Sequence, residues 1–542
     1  MTPSESGRTA NVKLFLWVVA LIALAVLYAI GYAAPGFDVY HDDGIYLVTA
    51  KALAQGSGYK IISLPVIIEQ TKYPPVFPIA LAAVWKIYPK FPKNIYALKI
   101  VPFGFAVGWL WLFFVYVRER LDSPEPAVWL VLFSAASPWV LFSSVAFLSE
   151  TMFAFFLTAA LLCIDRMIRL DRVTLAKTTL AAAIAAAAIL TRTAGLPLIL
   201  AGAGVFLARK KIGAALVYAI ATGVFISPWW IWSAHHKLAP GSLEAYYSGT
   251  NYAEWNLIAN FSWGDKLRVI ATNAANGIIS PGGLMGFPFT AFGFLLCLVL
   301  AGLVLYGFVV DLRKGITALN LFALLYEAML LLWPWPSIRF LAPVLPFLLY
   351  FAYIGVADLC ARVRAIQFPA NVAAWAFAVL LIPFASHALL VETQATRRNG
   401  SARFPLEEQK NWPATLSAMH WVSQNTPQYA IILGDDPTIF LLTGRRAIGL
   451  FAFDPFAFSY APSHESSLGT QAQFIAGILQ MKVDYAMYPS DATSMQSRLA
   501  REQVERAAAD HPAAFTAVND ASVQNYAIYA INRAALAKDA AK

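Results

Sequence analysis

Charge is scarce in this chain. Only 13% of its 542 residues are Asp, Glu, Lys or Arg, 59% are hydrophobic, and the mean hydropathy is +0.60. A soluble domain of this length carries far more polar surface, so a water-soluble enzyme or binding module is excluded. Cysteine is nearly absent. Cys163, Cys297 and Cys360 are scattered in or beside apolar segments, a pattern unsuited to a disulfide framework or a cysteine metal site. There is no glycine fingerprint for a dinucleotide and no phosphate-binding loop. The formal charge of +9 does not point to nucleic acid, because the basic residues fall between apolar segments instead of forming a patch.

Long apolar runs are what the chain has instead. Segments able, or nearly able, to cross a bilayer run over 14–33, 99–117, 127–145, 150–164, 178–191, 195–208, 212–233, 287–310, 316–333, 340–357 and 371–388, about eleven in all. The expected fold class is a polytopic α-helical membrane protein. Leu14–Ala33 has no small-residue cleavage site and is expected to stay as the first span. Sixteen Trp and 23 Tyr suit aromatic belts at two interfaces.

The basic residues orient these spans. Arg8 and Lys13 precede the first, and Arg118 and Arg120 follow the second. Arg166, Arg169, Arg172 and Lys177 follow the fourth; Arg209-Lys210-Lys211, Arg313-Lys314 and Arg362 with Arg364 close later even-numbered spans. All fall on one side if the N-terminus is cytoplasmic. The first loop (34–98), Glu150, Arg192, the loop 234–286, Arg339 and everything after residue 388 then face outward. The expected setting is the cytoplasmic membrane, with an extracytoplasmic C-terminal domain.

Asp42-Asp43 open that first loop, and Ile45, Val48, Ala52 and Leu53 follow at helical spacing, with Thr49, Lys51 and Gln55 opposite. This predicts a short amphipathic helix lying at the membrane surface and ended by Gly56-Ser57-Gly58. Asp42 stands at its N-cap and Asp43 in its first turn. The pair either caps the helix or meets water, a cation or a substrate. Pro74-Pro75 predicts an extended turn before a second short helix, Val76–Tyr88. The loop 234–286 holds Tyr246, Tyr247, Asn251, Tyr252, Glu254, Trp255, Asn260 and Trp263, a mixture that suits sugar faces and lipid headgroups equally. Residues 389–542 read as a small α/β domain, with strands at 429–434, 483–488 and 525–532 and helices at 412–424, 471–481 and 493–509. Asp435-Asp436-Pro437 reads as a turn or helix cap.

Asp42-Asp43-Gly44-Ile45-Tyr46 with Ala50 and Gly56, Lys72-Tyr73-Pro74-Pro75, Ser149-Glu150, Leu190-Thr191-Arg192 and Arg339-Phe340-Leu341-Ala342-Pro343 with Pro346 resemble motifs of the GT-C glycosyltransferases. The pattern is similar to bacterial relatives of protein O-mannosyltransferases and lipid A aminoarabinose transferases, over about residues 10–390. The resemblance implies a polyprenyl-phosphate sugar donor and an extracytoplasmic lipid, glycan or protein acceptor. It implies Asp42 as general base, Asp43 where relatives often have Glu, and Glu150 as a second acidic residue. Glu150 would orient the acceptor, help hold a divalent cation, or cap its span; the metal requirement stays open. Arg339 is expected at the donor phosphate, which Arg matches in a bidentate way. For Arg192 and Lys72, beside Tyr73, phosphate contact and snorkelling to the interface both remain. The alternatives are a lipid-linked sugar transporter or flippase and a non-catalytic scaffold. Only Glu327 and Asn320 are placed clearly within a span, where transport chemistry would sit.

Overall fold

The computed structural model describes residues 3–121, 123–170, 173–238, 261–334, 337–362, 370–401, 410–449, 470–490, 495–523 and 525–540. The aromatic and amide residues from Tyr246 to Asn260 lie outside them, as do Arg172, Arg364 and Trp335.

Helix α1 (Pro3–Ala33) leads into a turn and α2 (Asp42–Ala54), then a two-stranded hairpin of β1 (Lys60–Ile61) and β2 (Ile68–Glu69), and α3 (Val76–Ile87). The bundle continues with α4 (Ile95–Arg118), α5 (Pro124–Ala135), α6 (Pro138–Val145), α7 (Glu150–Ile168), α8 (Leu175–Thr191), α9 (Pro197–Ala208) and α10 (Ile212–His235). After it come α11 (Trp263–Leu284), α12 (Ala291–Lys314), α13 (Ala318–Leu331), the single turn α14 (Ile338–Leu341), α15 (Leu345–Arg362) and α16 (Ala370–Asn399).

Each expected apolar segment is helical, but fewer qualify as spans. Among the described residues, six helices are long and apolar enough to cross a membrane, or seven if α5 and α6 count as one span broken by 65°. The chain is a multi-pass membrane protein. The break has a local cause: Pro138 forces Ser137 out of helical dihedrals (φ −68°, ψ 129°), and the Ser137 hydroxyl caps the new helix at Val140 N–H. Arg192, extended at φ −147° and ψ 128°, separates α8 from α9, which has only 12 residues. Within the bundle α12 and α15 touch backbone to backbone, because a Cβ on Gly307 would lie 1.7 Å from the Phe351 carbonyl oxygen.

Several expectations need correction. The loop 234–286 contains the 22-residue α11; its Asp, Lys, Arg and Asn residues lowered the apolar signal without breaking the helix. Asn320 is no mid-span polar group but the third residue of α13, in a capping box with Thr317. α2 is not a surface helix. Asp43 to Ala50 and Ala52 are all buried, because the hairpin, α3 and the C-terminal part of the chain all pack around it: Gln70 bonds Thr49 (3.2 Å) on the face expected to be wet, and Phe440 lies against Lys51.

That part contains α17 (Trp412–Asn425), β3 (Ile431–Leu433), α18 (Asp436–Thr443), β4 (Arg446–Ile448), α19 (Gln471–Gln480), β5 (Tyr485–Pro489), α20 (Met495–Asp510), β6 (Phe515–Ala517), β7 (Tyr526–Ile531) and α21 (Arg533–Ala540). Its sheet runs β4-β3-β5-β7-β6, with β3 parallel to β4 and β5 and β7 antiparallel to β5 and β6. α16 continues unbroken past the expected boundary at 388 to Asn399, and Gly400 turns the chain at φ 67°. One apolar core joins Phe37, Tyr46 and Phe77 of the first loop to Trp412, Leu433 and Tyr488. Across that seam Ala447 N–H donates to the Ser63 carbonyl (2.9 Å), and Lys51 lies over the Phe440 ring (4.5 Å). Asp435 caps no N–H with its side chain; it pairs with Lys410, while Asp436 pairs with His41. Asp435 thus holds the expected N-cap position of α18 through its backbone, whose carbonyl accepts the Ile439 N–H (3.0 Å), while Asp436 joins α18 to the first loop.

Candidate active site

Four helix ends converge beneath this seam. Asp42 is the first residue of α2, since His41 takes the N-cap, and Glu150 is the first residue of α7. Arg192 ends α8, and Arg339 projects from α14. The expectation that Asp42 is itself the N-cap is therefore off by one residue, and its carboxylate is left to point across the bundle.

Arg339 stands at the centre. Its Nη1 lies 2.8 Å from Asp42 Oδ2, its Nε 2.5 Å from Glu150 Oε1, and its guanidinium 4.1 Å from the Tyr40 ring centre. Arg192 Nη1 reaches the same Glu150 Oε1 at 2.8 Å and donates to Ser149 Oγ at 3.2 Å. Ser149 Oγ in turn meets the Tyr46 hydroxyl at 3.0 Å. The Tyr73 hydroxyl donates to Asp42 Oδ1, and its ring tilts against Tyr46 at 4.8 Å. Lys72 lies over that ring, 5.5 Å from its centre. Gln70 shapes the turn, its Oε1 accepting from the backbone N–H of Lys72 (2.9 Å) and Tyr73 (3.2 Å). Pro75 then adopts helical dihedrals as the N-cap of α3, so the double proline is not extended throughout.

Six of the seven expected site residues thus meet: Asp42, Lys72, Tyr73, Glu150, Arg192 and Arg339. Asp43 does not. Its side chain is turned about 100° around the helix from that of Asp42 and accepts the backbone N–H of Val39 (3.1 Å) and Tyr40 (2.9 Å). Asp43 fastens the two residues ahead of the N-cap instead, and the N-cap His41 makes no side-chain cap bond to α2. Tyr40, Tyr46 and Ser149 join the cluster beyond the expected residues; Tyr40 and Tyr46 flank the Asp42-Asp43 pair and Ser149 precedes Glu150, the only signal the sequence offers for them.

Burial drives the Asp42 carboxyl upward, but Arg339, Lys72 and the Tyr73 hydroxyl outweigh it and hold Asp42 below the usual carboxylate range. Burial also raises Asp43, and there the backbone N–H bonds do not fully offset it. The Asp42 side chain keeps 23% exposure against 8% for Arg339 and 2% for Glu150, so Asp42 is the carboxylate that faces outward. Two polar atoms of the cluster, Arg339 Nη2 and Glu150 Oε2, are buried without a hydrogen-bond partner. Each is bonding capacity that the described protein groups leave open. Two guanidiniums and one ammonium stand against two carboxylates, so the cluster carries one positive charge in excess. Among the described residues no three His, Cys, Asp or Glu side chains gather as metal ligands.

No family model matches the sequence, and no curated protein does. Solved structures do match its shape: the chain has the fold of the GT-C membrane glycosyltransferases. ArnT from Cupriavidus metallidurans in the apo state superposes with TM-score 0.53 at 14% identity, covering 97% of this chain and 99% of that one. Archaeal oligosaccharyltransferase AglB from Archaeoglobus fulgidus, in complex with an inhibitory peptide and a dolichol-phosphate, gives 0.52 at 14% identity over 96% of this chain and 74% of that one. A second oligosaccharyltransferase structure from the same organism, tethered to an acceptor peptide, gives 0.51 at 12% identity over 95% and 74%.

Proposed function

We propose that the protein transfers a sugar from a polyprenyl-phosphate donor to an acceptor outside the cytoplasmic membrane, with Asp42 as general base. The observation that carries this reading is the half-satisfied cluster: Arg339 binds both carboxylates yet keeps Nη2 unpaired and buried. A phosphate oxygen suits that edge, since guanidinium and phosphate match in charge and geometry. A lipid phosphate of the kind held by the oligosaccharyltransferase neighbour would lay its tail along the bundle and its head among Arg339, Arg192 and Lys72.

The chemistry follows from the charges. An acceptor hydroxyl or amine attacks the anomeric carbon, the bond from that carbon to the phosphate oxygen breaks, and the phosphate leaves with the electron pair. The acceptor proton passes to Asp42, whose depressed pKa keeps it ionised at neutral pH. Tyr73 and Arg339 hold the two oxygens of Asp42 in place, one each. Glu150, pinned by two guanidiniums, keeps those cations aimed at the phosphate. The orientation argued from the basic loops sets this site, the first loop and the C-terminal domain outside the cytoplasm. The domain division proposed is 1–388 and 389–542, with 34–98 as part of the first unit and the connecting helix running on to Asn399.

The test is mass spectrometry of envelope lipids, glycans and proteins from cells with the parent protein, without it, and with Asp42→Asn. Asn keeps the shape and removes the base, so the sugar modification should be present with the parent and missing from the other two samples. An unchanged modification in Asp42→Asn cells would reject the base. Identical glycans in all three, with a lipid-linked sugar accumulating on one membrane face, would favour a transporter.

A further inference from the structure

The segment 38–41 delivers Asp42 to the cluster, and it is held in an uncommon shape. Two of its residues, neither of them glycine, have positive φ: Asp38 at 58° and His41 at 54°. His41, with ψ −46°, sits at the middle of a three-residue γ-turn closed by the Asp42 N–H and the Tyr40 carbonyl, a rare and strained turn at positive φ. Such backbone persists only where its surroundings impose it.

The C-terminal domain does the imposing, at both positions. Thr438 donates to Asp38 Oδ2 through its N–H (3.2 Å) and its hydroxyl (2.7 Å), and Lys410 Nζ donates to the Asp38 carbonyl (3.3 Å). Asp436 Oδ1 lies 3.0 Å from His41 Nε2, while Ser63 Oγ approaches its other oxygen at 3.4 Å. The side chains of Asp38 and Asp436 are fully buried. The fit leaves no slack, since a Cβ on Gly44 would lie 2.3 Å from Asp38 Oδ1 and 2.5 Å from Pro437 Cβ. Between the two grips the segment carries Tyr40 onto Arg339, and just past the second it carries Asp42 onto the same arginine.

We infer that Asp436, with Lys410 and Thr438, is a positioning residue of the C-terminal domain, which sets the Asp42 carboxylate for catalysis by holding His41 in its γ-turn and Asp38 at its positive φ. The inference rests on Asp42 being the base. Releasing a grip lets the turn relax and moves Asp42 relative to bound donor and acceptor. It does not remove any group that binds the donor phosphate.

The experiment measures sugar transfer by purified full-length protein from a polyprenyl-phosphate sugar, with Asp436→Ala, Asp436→Asn, His41→Asn and Asp42→Asn beside the parent. Asp436→Ala and His41→Asn should each lower kcat by roughly 10- to 100-fold, the scale of an ångström of misplacement, with donor KM within about threefold of the parent. Asp436→Asn keeps an acceptor oxygen for His41 and should recover most of the rate. In the double variant Asp42→Asn with Asp436→Ala, the residual rate should fall no further than in Asp42→Asn alone. If Asp436→Ala does not fold, His41→Asn decides, because Asn tolerates positive φ and leaves the C-terminal domain intact. Parental kcat in Asp436→Ala or His41→Asn, with Asp42→Asn inactive, overturns the positioning role and leaves the base standing. An added loss in the double variant overturns it as well. Parental kcat in Asp42→Asn overturns both.

Discussion

The two ends of the helix bundle each hold a buried ionic cluster, and they differ in one respect. At the end opposite the candidate site, Asp165 Oδ2 accepts the Tyr116 hydroxyl (2.9 Å) and Arg120, and its Oδ1 accepts Ala318 N–H (3.1 Å). Beside it, Asp311 takes the Tyr350 hydroxyl on one oxygen and the Asn320 amide on the other, each at 2.9 Å. Both oxygens of both carboxylates are satisfied. In the Asp42–Glu150–Arg192–Arg339 cluster, Arg339 Nη2 and Glu150 Oε2 are not. A complete network fixes helices and has no use for a ligand, whereas an incomplete one leaves bonding capacity where substrate arrives.

Breaking the complete network should have the largest effect on stability. Asp165→Leu leaves Arg120, with 9% side-chain exposure, without its charge partner and strands the Tyr116 hydroxyl and an α13 N–H. A loss of roughly 3–5 kcal/mol is expected for an uncompensated buried charge. Thermal unfolding in detergent should show a much lower midpoint, while transfer per folded molecule stays near parental. Arg339→Ala should cost activity first, although it also leaves the Asp42 carboxylate without its cation and so lowers stability. It removes the donor edge offered to phosphate and should cut transfer by about 10²–10³-fold, the scale for one preorganised donor at an oxyanion. Full donor affinity in Arg339→Ala, measured in a purified assay, would move the phosphate site to Lys72 or Arg192.

The smallest effect sharpens the electrostatics. Burial opposes ionisation of Asp42, and Arg339 followed by Lys72 overcomes it. With its pKa depressed, Asp42 loses its charge only as pH falls through that lowered value, and the stability it lends, present above its unfolded value, is lost on the same descent. Lys72→Met removes part of the depression. The acid limb of kcat/KM should therefore shift to higher pH, with the plateau near neutrality little changed. A limb that stays in place would mean that Lys72 does not act on Asp42.

Much of this was legible in the sequence, for reasons that also mark where legibility ended. Hydropathy found every helix of the bundle except α11, whose polar residues mask its length. The alternation of basic loops and the motif resemblance put Asp42, Glu150, Arg192 and Arg339 on one face. No pattern in the sequence gave the 2.8 Å contact between Asp42 and Arg339, which lie 297 residues apart. The burial of α2 was equally hidden. Thr49 and Lys51 look like a solvated stripe until Gln70 of the first loop meets the one and Phe440 of the C-terminal part the other, and that same part brings Asp436 to His41 as a partner. Asp42 and Asp43 look alike in sequence and part company only through the helix's 100° step.

The most direct measurement compares purified Asp42→Asn and Asp165→Leu with the parent, below the melting point of both variants, in transfer from a polyprenyl-phosphate sugar to acceptor. The account predicts that Asp42→Asn melts like the parent and loses about 10²–10⁴ in rate, while Asp165→Leu melts early and still transfers sugar at the parental rate per folded molecule. Parental turnover in Asp42→Asn, or selective loss of turnover in Asp165→Leu, would contradict the assignment of chemistry to the Asp42 end.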